Sequence, residues 1–373
     1  MEAYFRFNGS VLAVQMTIQV LLAIIFDGYT VIKDSQEYAL SFGGELTDET
    51  FQQIVSDYQQ MEADGMEEEL EKTDWQIVNS WLGTLYPELR DTSNYKTMIS
   101  YVDPDKLTGF YERRQQVLDE FLEVSGQVGA EKEFLHQIER KVEKPFHYEW
   151  VEGWSTLLGS TVADLGVVMA LFLGIVLSSL FAGEWHDNTS TLVLTTRNGW
   201  GKIALAKILT GLAFTVELFA LLAVSSVISQ LFFMGTAGWD MPIQNIKLIA
   251  VAPMNMLQAE IYEYAFVLLG AIGFAGIVMF ISAAVKNNVL TLLLSLAVVY
   301  GPMMIAEYLP YGMQKALDLI PMVGSSTDIF RTNTFRIWGK LIWSPYLLIT
   351  IPVLIGILCM PFAIKSWSRR MKA

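Results

Sequence analysis

The sequence predicts an all-α integral membrane protein: six transmembrane helices, with a mainly helical extracellular domain between the first and the second. Three observations carry that expectation. The 373-residue chain is 53% hydrophobic, with a mean hydropathy of +0.37. Only 17% of its residues are charged, where a soluble chain carries about a quarter. The charge is also segregated. Between Lys33 and Glu152 lie 27 acidic and 11 basic residues, which leaves 12 acidic and 14 basic for the rest of a chain of net charge −14. An acidic middle on a weakly basic, apolar remainder is the profile of a polar domain attached to a membrane body.

A bilayer core about 30 Å thick requires about 20 apolar residues in helix. Six stretches meet that length. The first, about Ser10 to Ile32, is interrupted by Gln15, Gln19 and Asp27. The others are Leu157–Phe181, Ile203–Met234, Tyr262–Val285, Val289–Tyr308 and Pro345–Ile364. The first lacks a basic leader and a small-residue cleavage site, so it reads as a retained span rather than a signal peptide. Three domains follow: residues 1–32 with the first span, an acidic mostly helical domain over 33–155, and a membrane domain over 156–373.

Lys and Arg in the short loops set the orientation. Arg197, Lys202 and Lys207 lie between spans two and three, Lys286 between four and five, and Lys365, Arg369, Arg370 and Lys372 after six. Alternating spans put all of these on one side. That side is expected to be the cytoplasm, with both termini inside, the acidic domain outside, and the chain in the plasma membrane. Lys315, Arg331, Arg336 and Lys340, in an outer loop over 309–344, run against this count. The opposite orientation would carry more positive charge across.

In the acidic domain, Thr47 is placed to cap a helix that starts with Asp48 and Glu49 and continues through Phe51, Ile54, Val55 and Tyr58. Asp103-Pro104-Asp105 opens a second, with Phe110, Val117, Leu118, Phe121 and Leu122 at helical spacing. A third is expected over about 130–142. Strand signals are sparse. The acidic run 67–71 reads as a solvated helix end. The one cysteine, Cys359, sits in an apolar run, so no intrachain disulfide is available and the domain must hold by packing.

Several chemistries are excluded by what is missing. There is no G-x-x-x-x-G-K-[ST] phosphate loop and no G-x-S-x-G elbow. The three histidines, His136, His147 and His186, are too scattered for a zinc site. Catalysis by this polypeptide is not expected.

The most informative stretch joins spans two and three, over 182–202. Glu184 stands at the end of a span, followed by a turn, an amphipathic piece Leu192-Val193-Leu194-Thr195, a second turn, and the basic start at Lys202 and Lys207. Read from the residues alone, it is either a segment that lies in a partner's groove, anchored by Leu192 and Leu194, or an ordinary amphipathic loop.

This stretch resembles the first cytoplasmic loop of the membrane subunits of type-2 ABC transporters, which runs E-x-x-x-G-T, then a short leucine-rich coupling helix, a Thr/Ser-Pro-type turn and a basic helix start. Glu184 matches the glutamate and Thr189 the threonine, while Asn188 replaces the glycine and tolerates the left-handed conformation. Arg197-Asn198-Gly199 stands where Ser-Pro is frequent, which is a departure. Ser282 with Lys286-Asn287, and Pro145-Phe146-His147-Tyr148 before span two, agree with the pattern. The likeness covers roughly 155–373. The family usually has an amphipathic cytoplasmic helix ahead of span one, whereas here only about eight residues precede that span: either the chain is truncated or that helix is absent.

The resemblance implies an exporter-like permease. Its expected form is a homo- or heterodimeric channel in the lipid bilayer, each half docked to a cytoplasmic nucleotide-binding subunit that holds ATP and Mg. It implies no cofactor in this chain and makes Glu184, Asn188, Thr189, Leu192, Leu194 and Thr195 the ATPase-coupling residues. Nucleic acid is not among the expected partners.

Acids inside spans are costly, at least about 2.5 kcal/mol each, and normally face a partner or a wet cavity. Asp164, Glu217 and Glu307 interrupt spans two, three and five, and are candidates for a path taken by a cation or cationic peptide. The alternative is that they pair across helices or sit near the interface. Glu260 and Glu263 are read as flanking the start of span four. Loop 309–344 is either re-entrant or a structured external loop, and Met303-Met304 is expected to pack span five. Against the exporter stand two further readings, a membrane sensor or immunity protein that captures an extracellular peptide, and a gated channel.

Overall fold

The structure, a computed structural model, describes residues 43–66, 75–91, 96–149, 152–186, 201–323 and 333–369. The first span and the acidic run 67–71 lie outside the described residues. Five described helices are long and apolar enough to cross a membrane. The chain is therefore a membrane protein, mostly helical, with a polar domain at one end of a helix bundle.

In the polar domain, strand β1 (Gly44–Leu46) leads into helix α1 (Asp48–Ala63), then α2 (Trp75–Leu85), α3 (Phe110–Val124), α4 (Ala130–Glu139) and strand β2 (Phe146–Tyr148). Thr47 caps α1 as its sequence position predicts, accepting from the Thr50 amide at 3.2 Å. The second helix starts later than expected. Pro104–Lys106 forms only a 3-10 turn, and α3 opens at Phe110 behind Gly109, whose φ of +72° and missing side chain leave it unable to cap. Asp48 does that work from across the domain, accepting from Gly109 N at 2.7 Å and Phe110 N at 2.9 Å. The sparse strand signals correspond to two antiparallel pairs, β1 with β2 and a later hairpin.

The domain core is aromatic. Phe51, Trp81, Tyr86, Phe110 and Phe146 are buried, and Phe51 meets Phe110 edge-on at 5.3 Å. Tyr111 ties three elements together, donating to Leu46 O at 2.8 Å and accepting from Phe146 N at 2.6 Å. Such packing replaces the disulfides this domain cannot form.

The bundle consists of α5 (Val162–His186), α6 (Lys202–Met234), α7 (Met256–Ala284), α8 (Asn288–Ala306) and α10 (Ser344–Arg369). Helix α5 is prolonged backwards by a π turn over Leu157–Thr161 and a helical turn over Glu152–Thr156. Helix α7 is central, packed mainly on α10 and α5. It begins six residues earlier than expected because Asn255 and Gln258 form a reciprocal capping box. Helix α8 is peripheral. Its buried stripe Thr291, Ser295, Val299 ends before Pro302, so Met303 and Met304 do not pack the span. They turn outward, 43% and 76% exposed. Residues 309–344 contain a short helix α9 (Tyr311–Leu317) and a hairpin of β3 (Thr334–Ile337) and β4 (Lys340–Trp343), which favours the structured-loop reading for the described part.

Glycines let α7 and α10 touch backbone to backbone, the common device where helices have no hydrophobic drive to associate. A Cβ at Gly273 would lie 2.3 Å from Pro352 O, and one at Gly276 would lie 2.3 Å from Gly356 O. Gly273→Ala is expected to lower stability by about 1–3 kcal/mol through overpacking. Gly301→Ala, in a helix with nothing within 4 Å of the new methyl, should stabilise slightly or leave it unchanged. Thermal unfolding of the two purified variants in detergent checks the contrast; equal shifts would contradict it.

The polar domain is latched to the loop that joins α6 and α7. Arg114, fully buried, donates from Nε to Leu248 O at 2.7 Å and from its two terminal nitrogens to Glu139 at 2.6 Å and Ala250 O at 3.1 Å. Trp81 Nε1 donates to Asn245 O, and Asn245 Nδ2 to His147 O. The hairpin grips the domain from the other side, through Thr334 to Gln127 at 2.7 Å and Arg336 to Glu131 at 2.5 Å.

Burial alone would raise the Glu139 carboxyl, but hydrogen bonds from Lys144 and Arg114 outweigh it and hold the group below the usual range. The native carboxylate thus binds fewer protons than the unfolded one. Its contribution is present above the ordinary glutamate value of about 4.3 and is lost as pH falls through the native value. Acid should therefore loosen the latch, read as faster hydrogen exchange over 243–250. Glu139→Gln should flatten that acid response.

Candidate functional site

Four of the five spanning helices end around one knot, at the bundle end away from the polar domain. Glu184, in the last turn of α5, pairs with Lys207, in the second turn of α6, at 2.6 Å. Both side chains are mostly covered, 20% and 15% exposed. Lys207 also donates to Leu180 O at 2.5 Å. A cation at a helix C-terminus meets the partial negative charge of its last carbonyls. The same ammonium lies 5.2 Å from the Phe181 ring and 5.4 Å from that of Trp367. Trp367, near the end of α10, is fully buried and packs on Phe181 and Trp185. Just after α7, Lys286 lies 4.2 Å from the Trp185 ring.

The end of α7 enters through Ser282, a buried residue. Its hydroxyl donates to Ser178 O at 2.7 Å and accepts from Phe181 N at 3.0 Å and Ala182 N at 3.1 Å. Ser178 O and Ala182 N are ladder partners in an unperturbed α-helix. A side chain inserted at such a position is a recognised cause of bending. The last turn of α5, which carries Glu184, is thus held by a neighbour as well as by its own helix. Gly183 faces Asn288 at the start of α8, so α8 reaches the same region.

Of the residues expected to couple to a partner, Glu184 stands in this knot. Asn188, Thr189, Leu192, Leu194 and Thr195 lie outside the described residues. The structure nevertheless fixes both ends of their segment, since Glu184 precedes it, Lys207 follows it, and the two are bonded.

The three acids proposed for a path are not brought together. Asp164 is exposed near the start of α5, Glu217 is half-buried midway along α6, and Glu307 is exposed at the end of α8. Among the described residues, no three His, Cys, Asp or Glu side chains are grouped so as to hold a metal ion. Among the described residues of the helix bundle, the buried acids are Glu260 and Glu263, 4% and 0% exposed. They lie inside the first two turns of α7 rather than flanking it, on the same side of the bundle as the polar domain. The Asn255-x-x-Gln258 capping signature was the signal that would have placed them there.

A comparison with known protein families, with curated proteins and with solved structures finds no match to this chain.

Proposed function

We propose that this chain is the membrane (permease) subunit of an ATP-driven exporter of the type-2 ABC kind, set in the plasma membrane with the Glu184 end in the cytoplasm and the polar domain outside. It carries no ATPase site of its own. ATP and Mg belong to a separate nucleotide-binding subunit, and a second permease chain, identical or not, completes the channel. Substrate is a cation or a cationic peptide.

One geometric fact supports this best. Segment 187–200, the stretch that resembles a coupling loop, leaves and re-enters the bundle at two residues bonded to each other, Glu184 and Lys207. The same residues touch, directly or through one neighbour, the ends of α5, α6, α7 and α10. A push delivered through that segment would reach helix ends that are already tied to one another, as a two-state element driven from a partner requires.

Co-expression with a nucleotide-binding subunit encoded alongside, followed by purification in detergent, tests it. The expected outcome is a complex with paired permease and ATPase chains that falls apart when 187–200 is replaced by a polar linker. A chain that purifies alone and is indifferent to that replacement would overturn the proposal. The latch between the polar domain and the α6–α7 loop favours one other reading, a sensor in which a peptide held by that domain moves α7. Altered signalling with unchanged efflux on deletion would select it.

A further inference from the structure

We propose that Glu260 and Glu263 form a cation-binding pair at the polar-domain end of α7, taking a proton or an alkali ion. Spaced three residues apart, they lie on one face of the helix. Both are covered by the fold itself; the Glu263 oxygens meet no hydrogen-bond donor among the described residues, and the Tyr264 hydroxyl is the one donor that bears on Glu260. That hydroxyl, one turn beyond Glu260, is itself buried and shared between Glu260 and Ser226.

Burial of an unpaired carboxylate costs far more than a surface one, and two together repel as well. A native bundle retains such a pair only if positive charge reaches it. The elements packed around it supply little. Helix α6 presents Ser226 and, nine residues deeper, Glu217. Helix α5 presents the exposed Asp164, and α10 presents Tyr346, which bears on Tyr262. The α6–α7 loop supplies Lys247, the one cation that bears on Glu263, and none bears on Glu260, among the described residues. Against two buried carboxyl groups the described residues thus set a single cation, Lys247, which leaves charge for a bound cation to balance.

Position gives the site its use. The loop carrying Lys247 is the one Arg114 holds against the polar domain, and it runs directly into α7. Cation binding at the pair and the seating of the polar domain therefore act on the same few residues. The site is independent of the exporter proposal and requires no ATPase.

The experiment uses the purified full chain in detergent. Melting temperature is recorded while sodium is exchanged for choline at fixed ionic strength, and separately as pH is varied at fixed sodium. The unsubstituted protein is expected to shift in one of the two series, sodium marking an alkali ion and pH alone, above the acid range in which Glu139 takes up its proton, marking a proton. Glu260→Gln/Glu263→Gln should lose that shift while remaining folded, because an amide needs no counter-charge. Infrared difference spectra of the unsubstituted protein over the effective step should show buried carboxyl bands. Absence of any shift, an unaltered shift in the double variant, failure of that variant to fold, or silent carboxyl bands would each overturn the site.

Discussion

Arg114→Ala is expected to destabilise the protein by about 3–5 kcal/mol, the range for removing one partner of a buried ion pair. Glu139 would keep Lys144, 2.8 Å away and one-third exposed, but would lose its buried partner. The carbonyls of Leu248 and Ala250 would lose donors; Ala250 O would keep Gln244 at 3.0 Å, and Leu248 O would be left with no donor among the described residues. Unpaired buried acceptors carry their own penalty. The damage should be local. Hydrogen exchange should accelerate over 243–250 and the start of α7 far more than at Glu184. Arg114→Met with Glu139→Leu should recover part of the loss, since apolar packing can replace an ion pair, but not all, because the carbonyls stay short of donors. Full recovery, or exchange that rises evenly through the bundle, would contradict the latch.

Breaking the knot is the second large effect. Lys207→Met leaves Glu184 mostly covered without its 2.6 Å partner and removes the donor to Leu180 O. Glu184→Gln leaves the ammonium over two aromatic rings, a placement that retains some cation–π attraction. The first should therefore cost more than the second, about 2–3 kcal/mol against about 1–2. In a double-mutant cycle the two changes should be strongly non-additive, by about 1 kcal/mol or more. Ser282→Ala belongs to the same network, because its hydroxyl alone bonds two α5 amides and one α5 carbonyl. Additive losses across Glu184 and Lys207 would show that the pair is incidental.

Much of this arrangement was legible in the sequence because membrane helices announce themselves by length and hydropathy. Spans two to six correspond to α5, α6, α7, α8 and α10, with ends shifted by a few residues. Thr47 was readable because an N-cap is a local event. Asp48 capping α3 was not, since the contact spans 61 residues. The same holds for Arg114, an ordinary basic residue on an amphipathic helix until the loop at 248–250 folds over it. Acids within spans are easy to see, but their burial is not. Asp164 and Glu307 stand out by sequence and lie exposed, while Glu260 and Glu263, which by sequence only flank a span, are the ones the fold encloses. Which face of a helix is covered depends on neighbours that only the tertiary structure supplies.

We propose that Glu184 and Lys207 pass a partner's ATP-driven motion into the bundle. Transport per ATP hydrolysed, measured for the reconstituted complex with and without Glu184→Gln, tests it most directly. The expected result is an intact complex that still hydrolyses ATP but moves about tenfold less substrate for each one, the loss that some 1.4 kcal/mol of coupling represents. Unchanged stoichiometry in a variant whose ion pair is demonstrably gone would contradict it.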